Sequence, residues 1–195
     1  QLMIIKSLLK LVRLRATKRP RNILVSMKIS TYKNILLDRD GIINEVVMRD
    51  GVVSSPRSYK EFLFRDDFLE FSKKVSASFN FYLITNQPDI SRGLLKKNDL
   101  KKMHDDLQKT LPFKEMYVCQ HDNYHNCTCR KPKPGMILQA INKNNLLFED
   151  CIMIGDSLKD VEAANAAGID VILLNAGYNK HIISKNRINS LTSLI

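Results

Sequence analysis

No apolar run in this 195-residue chain approaches the roughly 18 residues a membrane span needs, so nothing in it reads as a transmembrane helix. No internal repeat or low-complexity segment is visible, which excludes a repeat array. Acidic residues are absent from residues 1–28, which carry Lys6, Lys10, Arg13, Arg15, Lys18, Arg19, Arg21 and Lys28. That segment holds +8 of the formal +11, leaving +3 for the rest. An excess of positive charge points first to nucleic acid or a membrane surface. Confined to a leader, it leaves a near-neutral body, and that body lacks an aromatic-and-basic stacking surface. Cysteine is scarce: Cys119, Cys127, Cys129 and Cys151, three of them within eleven positions. Clustered cysteines near histidine, without a convincing secretory signal, read as metal ligands before disulfides.

Residues 2–14, LMIIKSLLKLVRL, are apolar with basic residues at intervals. A basic amphipathic helix on a membrane is one reading. A signal peptide fits less well, because Lys and Arg interrupt the stretch and no small-residue cleavage site follows. Residues 1–28 are expected to be a basic leader, poorly ordered or not native to the protein, with Met27 as a candidate start. Residues 29–195 are expected to form one folded domain with a full hydrophobic core. The expected setting is cytoplasmic and monomeric, with no stable membrane association.

From Lys33 onward the pattern is regular. Short apolar runs at 34–37, 79–84, 116–118, 151–154 and 170–174 predict buried strands. Helices are predicted over 66–79, 98–111, 134–144 and 158–167, and a loop over 49–58. Strands alternating with helices predict an α/β fold: a doubly wound, mainly parallel Rossmann-like sheet with helices on both faces. Ligands of such sheets bind beyond the carboxyl ends of the strands. This puts Asp38, Asp40, Thr85 and Asp156 on one rim.

Asp38-Arg39-Asp40-Gly41 follows an apolar strand directly. Alternate positions in extended chain point the same way, so both carboxylates can face one pocket, one as nucleophile and metal ligand, the other handling a proton. An ordinary surface turn is the bland alternative. Asp156 ends another strand as a hard oxygen ligand suited to Mg²⁺, or else caps the next helix. Thr85-Asn86-Gln87 can hold phosphate oxygens, and Arg130-Lys131-Pro132-Lys133-Pro134-Gly135 can set cations against phosphate charge. Each segment is weak alone. Together, in order at the ends of consecutive strands, they point to phosphate chemistry. Cys119, Cys127 and Cys129 with a histidine supply the soft donors of a closed structural Zn²⁺ site. Both His121 and His125 lie close enough to serve.

The series DRDG, ITNQ, RKPKPG and GDSLKD resembles the four motifs of the haloacid dehalogenase superfamily of phosphatases, over about residues 33–178. The resemblance implies Asp38 as nucleophile, Asp40 as general acid/base, Thr85 on the transferring phosphate and Lys131 steadying both. It implies Mg²⁺ held by Asp38, Asp156 and the Asp40 backbone carbonyl, with Asp160 behind them. The Cys–His loop before RKP is similar to that of D-glycero-D-manno-heptose 1,7-bisphosphate 7-phosphatases and the related histidinol-phosphate phosphatases. That likeness implies His121 as the zinc ligand, Arg130 as a substrate-binding residue, and a small phosphorylated metabolite as partner. The heptose reading implies a place in surface-polysaccharide precursor synthesis, lipopolysaccharide core or capsule; histidinol phosphate is the alternative substrate. A nucleic-acid 3′-phosphate end-processing or binding protein is the alternative from another class, supported by the basic leader alone. Pro88-Asp89-Ile90 and Ser54-Ser55-Pro56-Arg57-Ser58 fall outside the resemblance. No large insertion follows the first motif, so no separate cap domain is expected. Selectivity should come from residues 44–62, 87–95 and the cysteine loop.

Overall fold

The computed structural model describes residues 28–195, so the basic leader lies, but for Lys28, outside the described residues. Six strands form one sheet in the order β5-β4-β1-β6-β7-β8: β1 (Asn34–Leu37), β4 (Asn80–Asn86), β5 (Phe113–Cys119), β6 (Cys151–Gly155), β7 (Asp170–Leu174) and β8 (Arg187–Ile188). All adjacent pairs are parallel. The helices α1 (Asp66–Val75), α2 (Lys97–Thr110), α3 (Gly135–Lys143) and α4 (Leu158–Ala167) supply the crossovers. Among the described residues, no helix is long and apolar enough to cross a membrane.

The two sheet faces carry separate apolar layers. Ile35 and Leu37 point into the layer closed by Phe68 and Phe71 of α1 and by Leu100, Met103 and Leu107 of α2. Leu36 points into the other layer, with Met136 and Ile137 of α3 and Val161 and Ala164 of α4. Period-2 alternation therefore loses its polar half, and β1 is buried at all four positions. Burying each of Ile35, Leu36 and Leu37 is worth about 1.5–3 kcal/mol. The preference of leucine for helix is a few tenths of that, so tertiary burial decides the conformation.

Several boundaries differ from the sequence reading. The 49–58 loop is in part a hairpin, β2 (Val47–Arg49) paired antiparallel with β3 (Val52–Ser54). Asp50 and Gly51 both have positive φ, 51° and 76°, as a tight Asp-Gly hairpin turn requires. The first helix stops at Val75 rather than residue 79, with basic Lys73 and Lys74 in its last turn. Strand β5 starts at Phe113, three residues earlier than read, because its exposed Lys114 hid the pattern.

Strand order reverses at β1, which has β4 on one side and β6 on the other. The crevice beyond the carboxyl ends of these three strands is the topological switch point.

Candidate active site

A cleft of about 430 Å³ opens there, lined by Asp38, Asp40, Asn86, Arg130, Lys131 and Asp156 among others. Its floor is organised around Lys131, a buried ammonium 2.8 Å from Asp38 Oδ1 and 2.6 Å from Asp160 Oδ1. The same nitrogen donates to the Ile84 carbonyl at 2.8 Å. Asn86 clamps the Lys131 backbone from both sides: its Oδ1 accepts from the Lys131 N–H (3.1 Å) and its Nδ2 donates to the Lys131 carbonyl (3.0 Å). Asp160 also closes a capping box at the start of α4, accepting from Ser157 N and Oγ. Its two oxygens are thereby engaged by protein donors.

Asp40 is held differently. Arg39 Nε and Nη2 donate to its Oδ1 at 3.1 and 2.9 Å, Asn44 Nδ2 donates to the same oxygen at 3.0 Å, and Gln87 Nε2 donates to Oδ2 at 2.8 Å. Gln87 Nε2 also lies 3.0 Å from Thr85 Oγ1, and Gln87 Oε1 accepts from Arg39 Nη2. The side-chain amides of Asn86 and Gln87 are thus occupied with Lys131, Asp40, Thr85 and Arg39. Gln87 is buried behind the site, whereas Asn86 lines the cleft with its amide engaged on the Lys131 backbone.

Charge distribution follows from this packing. Burial lifts the Asp38 carboxyl to about 7; Lys131 pulls it down and the Asp160 and Asp40 charges push it up. Burial, then the charges of Asp160 and Asp38, carry Asp156 well above the usual carboxylate range. Burial would also raise Asp40, but Arg39 and the hydrogen bonds from Asn44 and Gln87 overcome it and hold that carboxyl below its usual range. Lys131 loses affinity for its proton through burial and regains more from Asp160 and Asp38, so it stays an ammonium.

Gly41 turns the chain after the two carboxylates at φ +83°, and a Cβ there would lie 2.1 Å from Asp156 Oδ2 and 2.7 Å from the Tyr178 hydroxyl. The turn brings the first carboxylate segment against the fourth. Neighbours that sequence reasoning passed over hold Asp156: the Tyr178 hydroxyl donates to its Oδ2 and Asn179 Nδ2 donates to its backbone carbonyl at 2.7 Å. Both follow β7, outside any segment that carries a phosphate signal. Arg39 was also missed, since alternation turns position 39 away from the pocket. Its guanidinium is fully buried under Phe62 and Met103 and curls back to Asp40.

The cysteine cluster sits beside the cleft. Cys119, His121, Cys127 and Cys129 present donor atoms within 4.8 Å of one another. Sγ of Cys119 is 3.7 Å from that of Cys127 and 3.3 Å from that of Cys129, and His121 Nδ1 is 3.3 Å from Cys129 Sγ. A tetrahedron with metal–sulfur bonds of roughly 2.3 Å has edges of about 3.8 Å, close to this spacing. His125 is turned elsewhere, and its Nδ1 accepts from the Asp122 N–H at 3.0 Å, capping the short turn Asn123–His125. Arg130 leans on this loop, donating from Nε to Asn123 Oδ1 (2.9 Å) and from Nη1 to the His121 carbonyl (3.2 Å).

A doubly wound sheet with carboxylates and a buried lysine converging at its switch point defines an α/β enzyme acting on a small anionic substrate. A family model described as "HAD-hyrolase-like" matches residues 128–187. The D-glycero-beta-D-manno-heptose-1,7-bisphosphate 7-phosphatase of Helicobacter pylori (strain 26695) is 38% identical over 154 residues, covering 75% of this chain and 85% of that one. The D-glycero-alpha-D-manno-heptose-1,7-bisphosphate 7-phosphatase of Campylobacter jejuni is 33% identical over 150 residues, covering 73% and 81%. A crystal structure of D,D-heptose 1,7-bisphosphate phosphatase from B. bronchiseptica, complexed with magnesium and phosphate, superposes with a TM-score of 0.73 at 26% identity, over 83% of this chain and 95% of that one. The chain belongs to the haloacid dehalogenase-like hydrolases, in the group of the heptose-bisphosphate phosphatases, and is a phosphoric monoester hydrolase.

Proposed function

We propose that this enzyme removes the 7-phosphate of D-glycero-D-manno-heptose 1,7-bisphosphate, in the cytoplasm, for surface-polysaccharide precursors of the lipopolysaccharide core or capsule. The observation that carries the chemistry is the Lys131 ammonium lodged between Asp38 and Asp160 at the switch point. The substrate is supported by the names of the relatives, which cover both anomers.

Asp38 is the nucleophile and carries the phosphoryl group as an aspartyl-phosphate. Carboxylate and phosphate repel each other, and Lys131 offsets part of that repulsion. Thr85 Oγ1 lies beside the Gln87 amide, which can donate to it and leave the hydroxyl proton for a phosphate oxygen. Asp40, fixed by Arg39, Asn44 and Gln87, protonates the leaving oxygen and then takes a proton from the water that releases phosphate. Arg39, Asn44 and Gln87 hold Asp40 as a carboxylate in the free protein, so it takes up a proton from solvent when the anionic substrate binds beside it and then passes that proton to the leaving oxygen.

The donor set fits Mg²⁺. Carboxylate oxygens of Asp38, Asp156 and Asp160 cluster within 4.8 Å. Asp160 is taken up by Lys131 and its capping box, which leaves Asp38 and Asp156 with the Asp40 backbone carbonyl as hard oxygen ligands. Bound there, Mg²⁺ supplies positive charge against the substrate phosphate. Cys119, His121, Cys127 and Cys129 suit structural Zn²⁺, which would fix the loop that presents Arg130 and Lys131. Purified protein should hold about one zinc per chain. Stripping it should loosen residues 119–131 and raise KM, and elemental analysis finding no zinc in reduced, chelator-free protein removes the site.

The heptose reading is tested at Arg130. One phosphate reacts at Asp38 and the second needs a holder, for which a guanidinium offers two parallel hydrogen bonds. Arg130→Ala should lower kcat/KM for the bisphosphate by about 2–4 kcal/mol, and far less for p-nitrophenyl phosphate. Equal losses on both esters would assign Arg130 to the chemistry or the fold and shift the substrate towards histidinol phosphate or another monoester.

A further inference from the structure

The cleft is walled by three segments distant in sequence: the hairpin side (Val53, Ser54, Ser55), the turn after β4 (Pro88, Asp89, Arg92) and the cysteine loop (Asn123, Arg130). One chain of ion pairs and hydrogen bonds links them. Arg57 Nε donates to Asp89 Oδ2 at 2.8 Å, Arg92 Nη1 to Asp89 Oδ1 at 3.1 Å, and Arg92 Nε and Nη2 to the two oxygens of Asp122 at 2.6 and 2.8 Å. Asp122 Oδ1 accepts from the Asn123 N–H at 2.7 Å, and Asn123 Oδ1 accepts from Arg130 Nε. The chain thus runs from the hairpin side to Arg130, which lines the cleft. Its near end is anchored as well: Glu61 accepts from the Arg57 N–H at 2.7 Å, and Arg49 Nη1 donates to the Ser55 carbonyl at 2.8 Å.

Isolated exposed ion pairs contribute little. This one differs at its centre, where the Asp89 side chain is 7% exposed and receives a guanidinium on each oxygen. A buried carboxylate paired on both sides holds geometry that one partner alone would not. Neither Arg57 nor Asp89 belongs to the segments that carry the family resemblance, and neither touches the reacting carboxylates among the contacts described.

We propose that Arg57, Asp89 and Arg92 are positioning residues that set substrate selectivity: they fix the distance between the hairpin wall and Arg130. The frame favours a phosphorylated polyol long enough to touch both walls while its reacting phosphate lies at Asp38. This rests on the reading of Asp38 as the reacting centre; the heptose bisphosphate identifies the second group.

The test uses the full chain as purified, with added Mg²⁺, on heptose bisphosphate and p-nitrophenyl phosphate. Asp89→Asn should raise KM for the bisphosphate tenfold or more while kcat changes less than threefold. KM for p-nitrophenyl phosphate should stay within twofold. The double variant Arg57→Gln/Asp89→Asn should lose no more than Asp89→Asn alone, since both break one frame. If Asp89→Asn does not fold, the double variant, which strands no charge on Arg57, and the conservative Arg92→Lys give the reading. Selective KM loss in these supports the frame. KM values that move together on both esters, or not at all, in variants melting within a few degrees of wild type overturn it. Should wild type not turn over the bisphosphate, the substrate reading fails by itself. The ratio is then taken with the best ester of a phosphometabolite panel. A best ester with no group beyond its phosphate, or one whose KM the variants leave unchanged, overturns the frame.

Discussion

Asp38→Asn should lower turnover by roughly 10⁴-fold or more while leaving the protein folded. The amide keeps the size of the side chain but removes the oxygen proposed to attack and one charge from the proposed metal site. Stability should not suffer, and the sign follows from protonation. The folded-state pKa of Asp38 is raised to about 7, against roughly 3.9 in an unfolded chain. Between these values the folded protein binds more protons than the unfolded one, so this group makes stability fall as pH rises towards 7. Asparagine removes the penalty, while Lys131 keeps Asp160 as its partner. Without added Mg²⁺ at pH 8, the variant should therefore melt at or above the wild-type temperature. Phosphate release assays and thermal melts check both halves. Retained activity above a few per cent, with contamination excluded, would end the aspartyl-phosphate mechanism.

Replacing Lys131 by methionine should abolish turnover and also weaken the fold. The ammonium is the shared counter-ion of Asp38 and Asp160, both buried. Removing one partner of a buried pair strands charge and costs about 3–5 kcal/mol. For a domain of this size that is a drop of between about 6 and 20 °C in melting temperature. Because the pKa of Lys131 is raised, its contribution is complete at neutral pH and is lost only when pH rises through its folded-state value. In the variant, a carboxyl proton can replace the missing ammonium. The gap to wild type should narrow as pH falls from 7.5 to 5. A melting temperature within 2 °C of wild type at pH 7.5 would show that Lys131 does not neutralise this site.

The chemistry-bearing strands were legible because their ends are abrupt. The apolar run Asn34–Leu37 stops at Asp38 and Cys151–Gly155 stops at Asp156, and a strand buried on both faces has no polar alternation to blur the signal. The hairpin Val47–Ser54 was not, although Asp50-Gly51 between valines marks such turns. Each of its strands has three residues, too few for a period to stand out. Strand β8 has two residues and exists only through its pairing of Arg187 with Leu173 and of Ile188 with Leu174. His121 and His125 were equivalent by spacing, since both neighbour the cysteines. The choice between them depends on which ring turns inward, and His125 is drawn away by the cap it makes on Asp122.

Residue order alone determined that an alternating α/β chain would bury a parallel sheet and leave two carboxylate-ended strands, a polar strand end and a basic loop near one rim. That follows from local facts: apolar runs favour burial, and side-chain direction repeats with a period of two in strands. Only the tertiary structure decided how those groups meet. Lys131 reaches Asp38 and Asp160 because Asn86 grips its backbone. Gly41 can lie against Asp156 because it has no Cβ. Arg39, which alternation sends into the core, returns its guanidinium to Asp40 because a buried cation must find an anion. The carboxyl ends of β1 and β6 are set by short-range pattern; the distances that make a site are set by contacts between residues that the sequence holds far apart.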